Sequence, residues 1–185
     1  MVREQFNKLS KKDEIIEFLK TNNVSMIFEV IDIVKDPHII KYNESKIVLL
    51  DIVENSFNPI YYTFEELTKF ATQYNIECKK LELQFDNYDD FYEFINNCEN
   101  DDDFTNKTEG WVFVDNKGFM VKYKTKYYKF WKWMRSFKQH IEKNRVIKQT
   151  FNSEKEVKIV QLMKKIPAEK LQEMSIIDIQ DKFYK

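Results

Sequence analysis

The chain contains only two glycines, Gly110 and Gly118, among its 185 residues. Phosphate-binding loops and dinucleotide-binding fingerprints both need several glycines close together, because the backbone must approach the phosphates closely. The sequence therefore excludes both kinds of nucleotide site. Each glycine instead marks a position where the backbone has a special requirement, such as a turn or a close approach. Apolar residues make up 43% of the chain, which is enough for a substantial core and excludes disorder over most of its length.

The length predicts one domain, or one domain with an appendage. The longest apolar runs, such as residues 47–50, are too short to cross a bilayer. The first six residues contain no apolar signal core, which predicts no secretory export. Cys78 and Cys98 form no Cys-x-x-Cys motif and suit a reduced setting. We therefore expect a cytoplasmic protein, or one that is intracellular in a phage or virus host, with no membrane contact.

The net charge is only −1, but acidic and basic residues are concentrated in different segments of the chain. Residues 82–109 contain ten acidic side chains against Lys107 alone. Residues 122–148 contain ten lysines or arginines against Glu142 alone. The basic segment suits a polyanionic partner, whereas an acidic segment usually forms a solvated face.

Hydrophobic periodicity predicts an α+β fold, with a mostly antiparallel sheet and flanking helices followed by a short all-helical appendage. Capping boxes at Thr63–Glu66 and Ser153–Glu156 mark two helix starts, and Pro167 marks a third. The other predicted helices cover residues 1–20, 88–97, a segment from residue 127 onward, and the last ten residues. The predicted strands cover residues 25–34, 39–42, 46–53, 76–85, 111–114 and 119–124.

The sequence Asp-Asn-Lys-Gly at residues 115–118 predicts a β-hairpin. If Val114 pairs with Phe119, strand alternation places a charged set of side chains on one face and an apolar set on the other. The charged face then presents Glu109, Trp111, Lys122 and Lys124. The apolar face presents Val112, Val114, Val121 and Tyr123. A solvated edge with cross-strand ion pairs and a phosphate-binding site with a metal-holding carboxylate both fit this pattern.

The chain contains three short motifs, Phe28-Glu29-Val30, Glu109-Gly110-Trp111-Val112 and Lys122-Tyr123-Lys124. In this order they resemble motifs III, IV and V of the covalent nucleotidyltransferases, in the version used by phage-type ATP-dependent RNA ligases that repair broken tRNA. Residues 124–128 also resemble the Lys-x-x-x-Tyr end of motif V. The resemblance covers residues 10 to 130 approximately, and it implies a sheet of the nucleotidyltransferase (ATP-grasp-like ligase) type over residues 1–126, followed by a helical appendage over residues 127–185.

The resemblance implies a role for each matching residue. Glu29 would bind the ribose hydroxyls of ATP or AMP, and Tyr128 would support the nucleotide or RNA site. Glu109 would help to place Mg²⁺, while Lys122 and Lys124 would act catalytically on the α-phosphate. Acidic groups suit hydroxyls and Mg²⁺, and lysines suit a phosphate on which charge develops.

The nucleophile of the family lies in a Lys-x-Asp-Gly motif, and this sequence departs from that pattern. Lys107-Thr108-Glu109-Gly110 fits only loosely, and reading it as the nucleophile leaves no place for the other motifs. The basic residue expected before the Ile-Val-like pair is His38 here. The chain therefore resembles the back portion of a ligase domain: a fragment of a longer protein, one half of a split ligase, or a degenerate relative. We expect it to form no covalent adenylate by itself.

The segment 122–148 also interleaves its basic residues with aromatic ones, a pattern that holds single-stranded RNA by stacking and phosphate contacts. Helical spacing assigns Phe130, Trp131 and Phe137 to a buried stripe, while Tyr128 and Trp133 fall beside it. The predicted RNA-binding residues are Lys129, Lys132, Trp133 and Arg135.

The sequence leaves two functions open. The first is part of an RNA ligase that joins single-stranded RNA ends or tRNA, with the nucleophile supplied by a separate chain. The second is a non-catalytic module that binds RNA or protein and keeps a remnant of the ligase fold.

Overall fold

The computed structural model describes residues 2–35, 38–143 and 153–183. The chain divides into two compact units. Unit 1 comprises Met1–Asp36 and Tyr42–Gln84, and unit 2 comprises Pro37–Lys41 and Phe85–Lys185. Short antiparallel strand pairs and helices occur in the described part of the chain, together with a helical C-terminal region, which confirms the α+β prediction. The assignment of residues 1–126 to a nucleotidyltransferase domain stays a prediction.

Unit 1 packs three helices against a two-stranded antiparallel sheet. Its elements are α1 (Val2–Asn7), α2 (Lys12–Asn22), β1 (Val24–Ile31), β2 (Lys46–Glu54) and α3 (Phe64–Tyr74). The capping box predicted at α3 is present, since the Thr63 side chain accepts from the Glu66 backbone N–H and the Glu66 carboxylate accepts from Thr63 N. Helix α2 ends at Asn23, whose left-handed backbone closes the last turn.

The core of unit 1 lies between the sheet and the helices. Its fully buried side chains include Ile15 of α2, Leu49 and Ile52 of β2, and Leu67 of α3. Two helices rather than one cover the first twenty residues, because the chain turns between Asn7 and Lys12. This turn allows Phe6 and Leu9 to pack against the same core as α2.

Unit 2 joins a helix and a hairpin to four helices. Its elements are α4 (Tyr88–Glu99), β3 (Gly110–Val114), β4 (Met120–Lys124), α5 (Lys126–Glu142), α6 (Glu154–Lys164), α7 (Ala168–Glu173) and α8 (Ile176–Phe183). The predicted helix starts at Ser153 and Pro167 are confirmed, since these residues cap α6 and α7. Residues 144–148 of the basic segment lie outside the described residues.

Helix α5 forms the centre of the core of unit 2. Trp131 and Met134 are completely buried, and Phe130 and Phe137 are 6% exposed, as the predicted stripe requires. Residues from α6, α7 and α8 complete this core, including Met163, Leu171 and Ile179. Helices α5, α6, α7 and α8 therefore share one apolar core.

Two predicted strands are wrong. Residues 39–42 form no strand, because Ile39 packs into the helical core of unit 2 and its carbonyl accepts a hydrogen bond from Gln180 Nε2 at 3.0 Å. Residues 76–85 contain a single parallel bridge between Cys78 and Leu49. Beyond that bridge, residues 80–84 are exposed and lack ladder pairing. In the described part of the chain, no helix is long and apolar enough to cross a membrane.

Candidate nucleotide and RNA site

The turn between β3 and β4 sets the register of the hairpin. Asp115 N donates to Phe119 O and Gly118 N donates to Asp115 O, both at 3.0 Å. The Asp115 carboxylate also accepts from the backbone N–H groups of Lys117 and Phe119. Gly118 has φ +82°, so the three-residue loop ends in a left-handed glycine. Asp115 therefore pairs with Phe119, and Val114 pairs with Met120.

This register corrects the predicted one by one residue. Trp111 lies opposite Tyr123, Val112 opposite Lys122, and Gly110 opposite Lys124. Trp111 therefore leaves the charged face predicted for it and stacks on Tyr123, with ring centroids 6.1 Å apart. Tyr123 and Val121 keep the face opposite the lysines, whereas Val112 and Val114 move to the face of the lysines.

The aromatic face of the hairpin packs against α4. Phe94 contacts Trp111 at a centroid distance of 5.1 Å, and Phe91 contacts Phe113 at 5.0 Å. The opposite face, which carries Lys122 and Lys124, is open: Val112 and Val114 are 52% and 53% exposed. The packing against α4 thus orients the hairpin so that its two lysines face outward.

Glu109, Lys124 and Tyr128 form one cluster in unit 2. Lys124 Nζ forms an ion pair with Glu109 Oε1 and lies 5.0 Å from the centroid of the Tyr128 ring. Lys132 lies over the same ring at 6.0 Å. Burial raises the pKa of Tyr128, and the Glu109 carboxylate raises it further against the opposing charge of Lys124. The phenol therefore stays protonated and can donate a hydrogen bond at neutral pH.

Thr125 fixes the geometry of this cluster. Its hydroxyl donates to Thr108 O at 2.6 Å and accepts from Tyr128 N at 3.0 Å, and its own N–H donates to Glu109 O at 3.1 Å. One buried side chain thus joins the start of β3 to the first turn of α5. Thr125 is the N-cap of α5, and a threonine directly before a helical period is the sequence signal by which this role could have been predicted.

Gly110 allows the two strands to meet beside Glu109. Its φ is +146°, and a Cβ at this position would lie 2.9 Å from Cα of Lys124 and closer still to the carbonyl oxygen of Tyr123. A side chain would therefore push β3 away from β4 at the point where Glu109 reaches Lys124.

The remaining predicted site residues lie in different places. Lys122 is exposed on the same face as Lys124, two residues before it on β4. Glu29 is exposed on β1 of unit 1, where it pairs with Val48. The structure thus brings Glu109, Lys124 and Tyr128 together, adds Lys122 to their face, and places Glu29 on the other unit.

The basic helix α5 contacts the acidic segment that precedes it. Lys129 Nζ lies 3.2 Å from Glu99, and Lys126 Nζ lies 2.6 Å from Asp102. Burial opposes the ionisation of Glu99, but the ammonium of Lys129 and other hydrogen bonds hold its pKa below the ordinary value. Part of the positive charge of α5 is therefore balanced within unit 2.

The other predicted RNA-binding residues differ in exposure. Lys132 is exposed, Arg135 is half-buried, and Trp133 is half-buried against the core, with its ring stacked on Phe137 at 4.9 Å. Of the predicted RNA contacts on this helix, Lys129 and Lys132 are thus both exposed cations, while Trp133 already has a stacking partner.

Mg²⁺ is bound mainly by oxygen ligands such as carboxylates, phosphates and water. Among residues 2–35, 38–143 and 153–183, no group of three or more His, Cys, Asp or Glu side chains forms a metal site. Mg²⁺ in nucleotide sites is commonly held by one or two carboxylates together with substrate phosphates and water. Glu109 fits that arrangement as a single carboxylate beside two lysines, Lys122 and Lys124.

Comparison with known protein families finds a match over most of the chain. A family model described as RNA ligase matches residues 1–128, more than two thirds of the chain. The chain belongs to this phage-type RNA ligase family, which confirms the resemblance drawn from the motifs. The match extends as far as Tyr128 and includes Glu29, Glu109, Lys122 and Lys124. Membership implies a ligase-related role and, in general terms, RNA as substrate and the use of ATP and a divalent metal. No curated protein sequence matches the chain.

Proposed function

We propose that this chain supplies the ribose, phosphate and metal contacts of an ATP-dependent RNA ligase active in RNA repair, while another polypeptide segment supplies the lysine that is adenylylated. The observation that carries this proposal is the cluster of Glu109, Lys124 and Tyr128, which lies within the family match and is held together by Thr125. The sequence contains no Lys-x-Asp-Gly motif to act as nucleophile.

The cluster suits transfer of an adenylyl group. The open face of the hairpin lets Lys122 and Lys124 contact the α-phosphate, where negative charge develops as the pyrophosphate leaves. When Lys124 turns to the phosphate, the Glu109 carboxylate becomes available to a hydrated divalent cation. Such a cation, when bound, neutralises phosphate charge. Tyr128, which is half-buried, holds Lys124 by a cation–π contact of about 1 kcal/mol. Glu29 accepts from the ribose hydroxyls.

The proposal predicts that the purified chain forms no covalent adenylate with labelled ATP. A label that survives SDS would contradict it, and Lys107 would then be the first residue to replace. Adding a polypeptide that carries Lys-x-Asp-Gly should restore labelling, because the missing nucleophile is then present. Lys124→Ala should abolish the restored label, whereas replacement of the exposed Lys80 should leave it unchanged. Equal labelling with Lys124→Ala would remove the phosphate role of the cluster.

RNA binding gives a second prediction. If α5 follows a phosphate backbone, replacing Lys129, Lys132 and Arg135 together with alanine should flatten the dependence of log K on log salt. Three phosphate contacts contribute a slope of about 2 for a single strand. We expect Lys132→Ala alone to have a larger effect than Lys129→Ala, because Lys129 is ion-paired with Glu99. Fluorescence anisotropy of a labelled single-stranded RNA over a salt series measures the binding constant of each variant and its dependence on salt.

A matched control for this experiment is the triple replacement of Lys8, Lys20 and Lys80, which are exposed lysines of unit 1. It removes the same charge from the chain but should leave the slope unchanged. Identical slopes for the two triple variants would show that α5 presents only a solvated basic face.

The second candidate is a non-catalytic module that binds RNA or protein. The exposed apolar side chains Val112, Val114 and Met120 on the lysine face favour it, since such a face can contact another polypeptide. The labelling experiment separates the candidates. A non-catalytic module would bind RNA with the predicted salt dependence but would restore no adenylate when a nucleophile-bearing segment is added.

A further inference from the structure

Unit 1 carries a face of charged side chains that the proposed function uses only at Glu29. We call it the charged face, and it is defined by Glu29 of β1, Lys46 and Asp51 of β2, and Glu77 and Lys79 of the segment beside β2. Leu49 N donates to Glu77 O and Lys79 N donates to Leu49 O, both at 2.8 Å. Glu77 and Lys79 therefore point to one face, while Cys78 between them packs against the core.

Two ion pairs cross this face. Lys46 Nζ lies 2.6 Å from Glu77 Oε1, and Lys79 Nζ lies 3.1 Å from Asp51 Oδ2. Asp51 is 6% exposed, whereas the Lys79 side chain is 34% exposed. The acidic partner is thus buried in the sheet, and the ammonium lies at the surface.

An irregularity in β2 places Asp51 on the face of Glu29. Ile27 pairs with Asp51 and Phe28 pairs with Leu49, so Leu50 is an extra residue without a partner on β1. Without this bulge, Asp51 and Val48, three residues apart, would point to opposite faces. With it, Asp51 lies beside Val48, the cross-strand partner of Glu29. Bulges often re-aim a side chain next to a functional site.

The burial of Asp51 is not itself a source of stability. Removing a carboxylate from water costs free energy that the attraction of a counter-charge commonly does no more than offset, and an apolar residue of similar size often serves as well. A lysine ammonium has three donors, and the hydrogen bond to Asp51 uses one of them. The arrangement thus holds a cation in a fixed position on the face where Glu29 is exposed.

We propose that Lys79, positioned by Asp51, is a further binding residue that contacts the 5′-phosphate of the nucleotide whose ribose lies on Glu29. Ile27 and Glu29 are successive residues on one face of β1, about 7 Å apart along the strand, and Asp51 lies opposite Ile27. A nucleotide carries its phosphate at the other end of the ribose from the 2′- and 3′-hydroxyls, so one molecule can reach both groups. This inference rests on the role proposed for Glu29.

The test compares AMP with adenosine, because the two ligands differ only in the phosphate. Lys79→Met alone would leave the Asp51 carboxylate buried without its counter-charge and could unfold unit 1. The variant to use is therefore the double replacement Lys79→Met with Asp51→Asn, which removes both charges together. Calorimetry should show AMP binding weakened at least about tenfold, the expected loss for a charged hydrogen bond. Adenosine binding should be unchanged.

Three controls make the outcome decisive. Lys79→Arg keeps the charge and should retain most of the affinity for AMP. Lys80→Met removes the neighbouring exposed lysine and should have no effect. Glu29→Ala should weaken AMP and adenosine alike, since it removes the ribose contact. If Glu29→Ala weakens both ligands while the double variant binds AMP normally, the role of Lys79 is overturned and the proposed function stands. If the unaltered chain binds neither ligand, both proposals fail.

Discussion

Gly110→Ala is expected to destabilise unit 2 by at least about 3 kcal/mol, at the upper end of the cost of local backbone strain. The added Cβ would lie 2.9 Å from Cα of Lys124 and closer still to the carbonyl oxygen of Tyr123. Both obstacles are backbone atoms, so no side-chain rotation relieves the clash. The φ of +146° is also one that L side chains rarely adopt. Urea unfolding followed by tryptophan fluorescence measures the decrease in the free energy of unfolding, since Trp111 and Trp131 both lie in this unit.

Gly118→Ala is the matched control for this prediction. Gly118 also has a positive φ of +82°, but an added Cβ would meet no atom within 4 Å. In Gly118→Ala the cost therefore comes from the left-handed backbone conformation alone, and it is about 1–2 kcal/mol. Equal losses for the two variants would show that conformation alone, rather than the close approach of β4, accounts for the glycine at residue 110.

Trp131→Ala is expected to cost about 3–5 kcal/mol, the range for removal of a large aromatic side chain from a core. Trp131 is completely buried, and its ring lies 5.5 Å from that of Phe130 and 6.4 Å from that of Tyr127. A cavity of this size in α5 removes contacts with the core that α6, α7 and α8 share. Loss of this magnitude is comparable with the whole stability of many domains. The free energy of unfolding in urea, monitored by circular dichroism, tests it.

Trp133→Ala should cost clearly less, because Trp133 is half-buried and lies at the margin of the same core. The two variants remove the same side chain from the same helix two residues apart. Comparable losses would mean that the buried stripe does not carry the stability of unit 2.

Local signals allowed much of the fold to be predicted. The capping residues Thr63 and Ser153 fixed two helix starts, because the hydrogen bonds that they make lie within four residues. The helical spacing of Phe130, Trp131 and Phe137 identified the buried side of α5 for a similar reason. Helix caps and buried helix faces depend on residues that are close in sequence, so both can be predicted from the local amino-acid pattern.

The strand errors have a different origin. Residues 39–42 have the apolar, β-branched composition of a strand, but their partner is Gln180, 141 residues away. Composition indicates that the segment is buried. It does not reveal whether the backbone of the segment forms hydrogen bonds with another strand or with a side chain of a helix. The segment 76–85 likewise forms one bridge, between Cys78 and Leu49 of β2, and its residues 80–84 are exposed.

The site was predictable in its residues but less so in its geometry. The motifs identified Glu109, Lys122 and Lys124, and the structure brings Glu109 into an ion pair with Lys124. The hairpin register depended on one detail, the left-handed Gly118, which adds a residue to the turn and moves Trp111 to the aromatic face. The Asp51–Lys79 pair could not be found from alternation, because the bulge at Leu50 interrupts it.

The hydrogen bond between Gln180 and Ile39 has a consequence for synthesis of the protein on the ribosome. Unit 2 is discontinuous in sequence, since it includes Pro37–Lys41 as well as Phe85–Lys185. Ile39 therefore emerges from the exit tunnel long before α8 exists to receive it. Unit 1 contains most of the chain made in between, including β2 and α3, and can fold during that interval. The segment around Ile39 must remain undocked until Gln180 has been synthesised, which makes the docking of Ile39 a late step in the folding of unit 2.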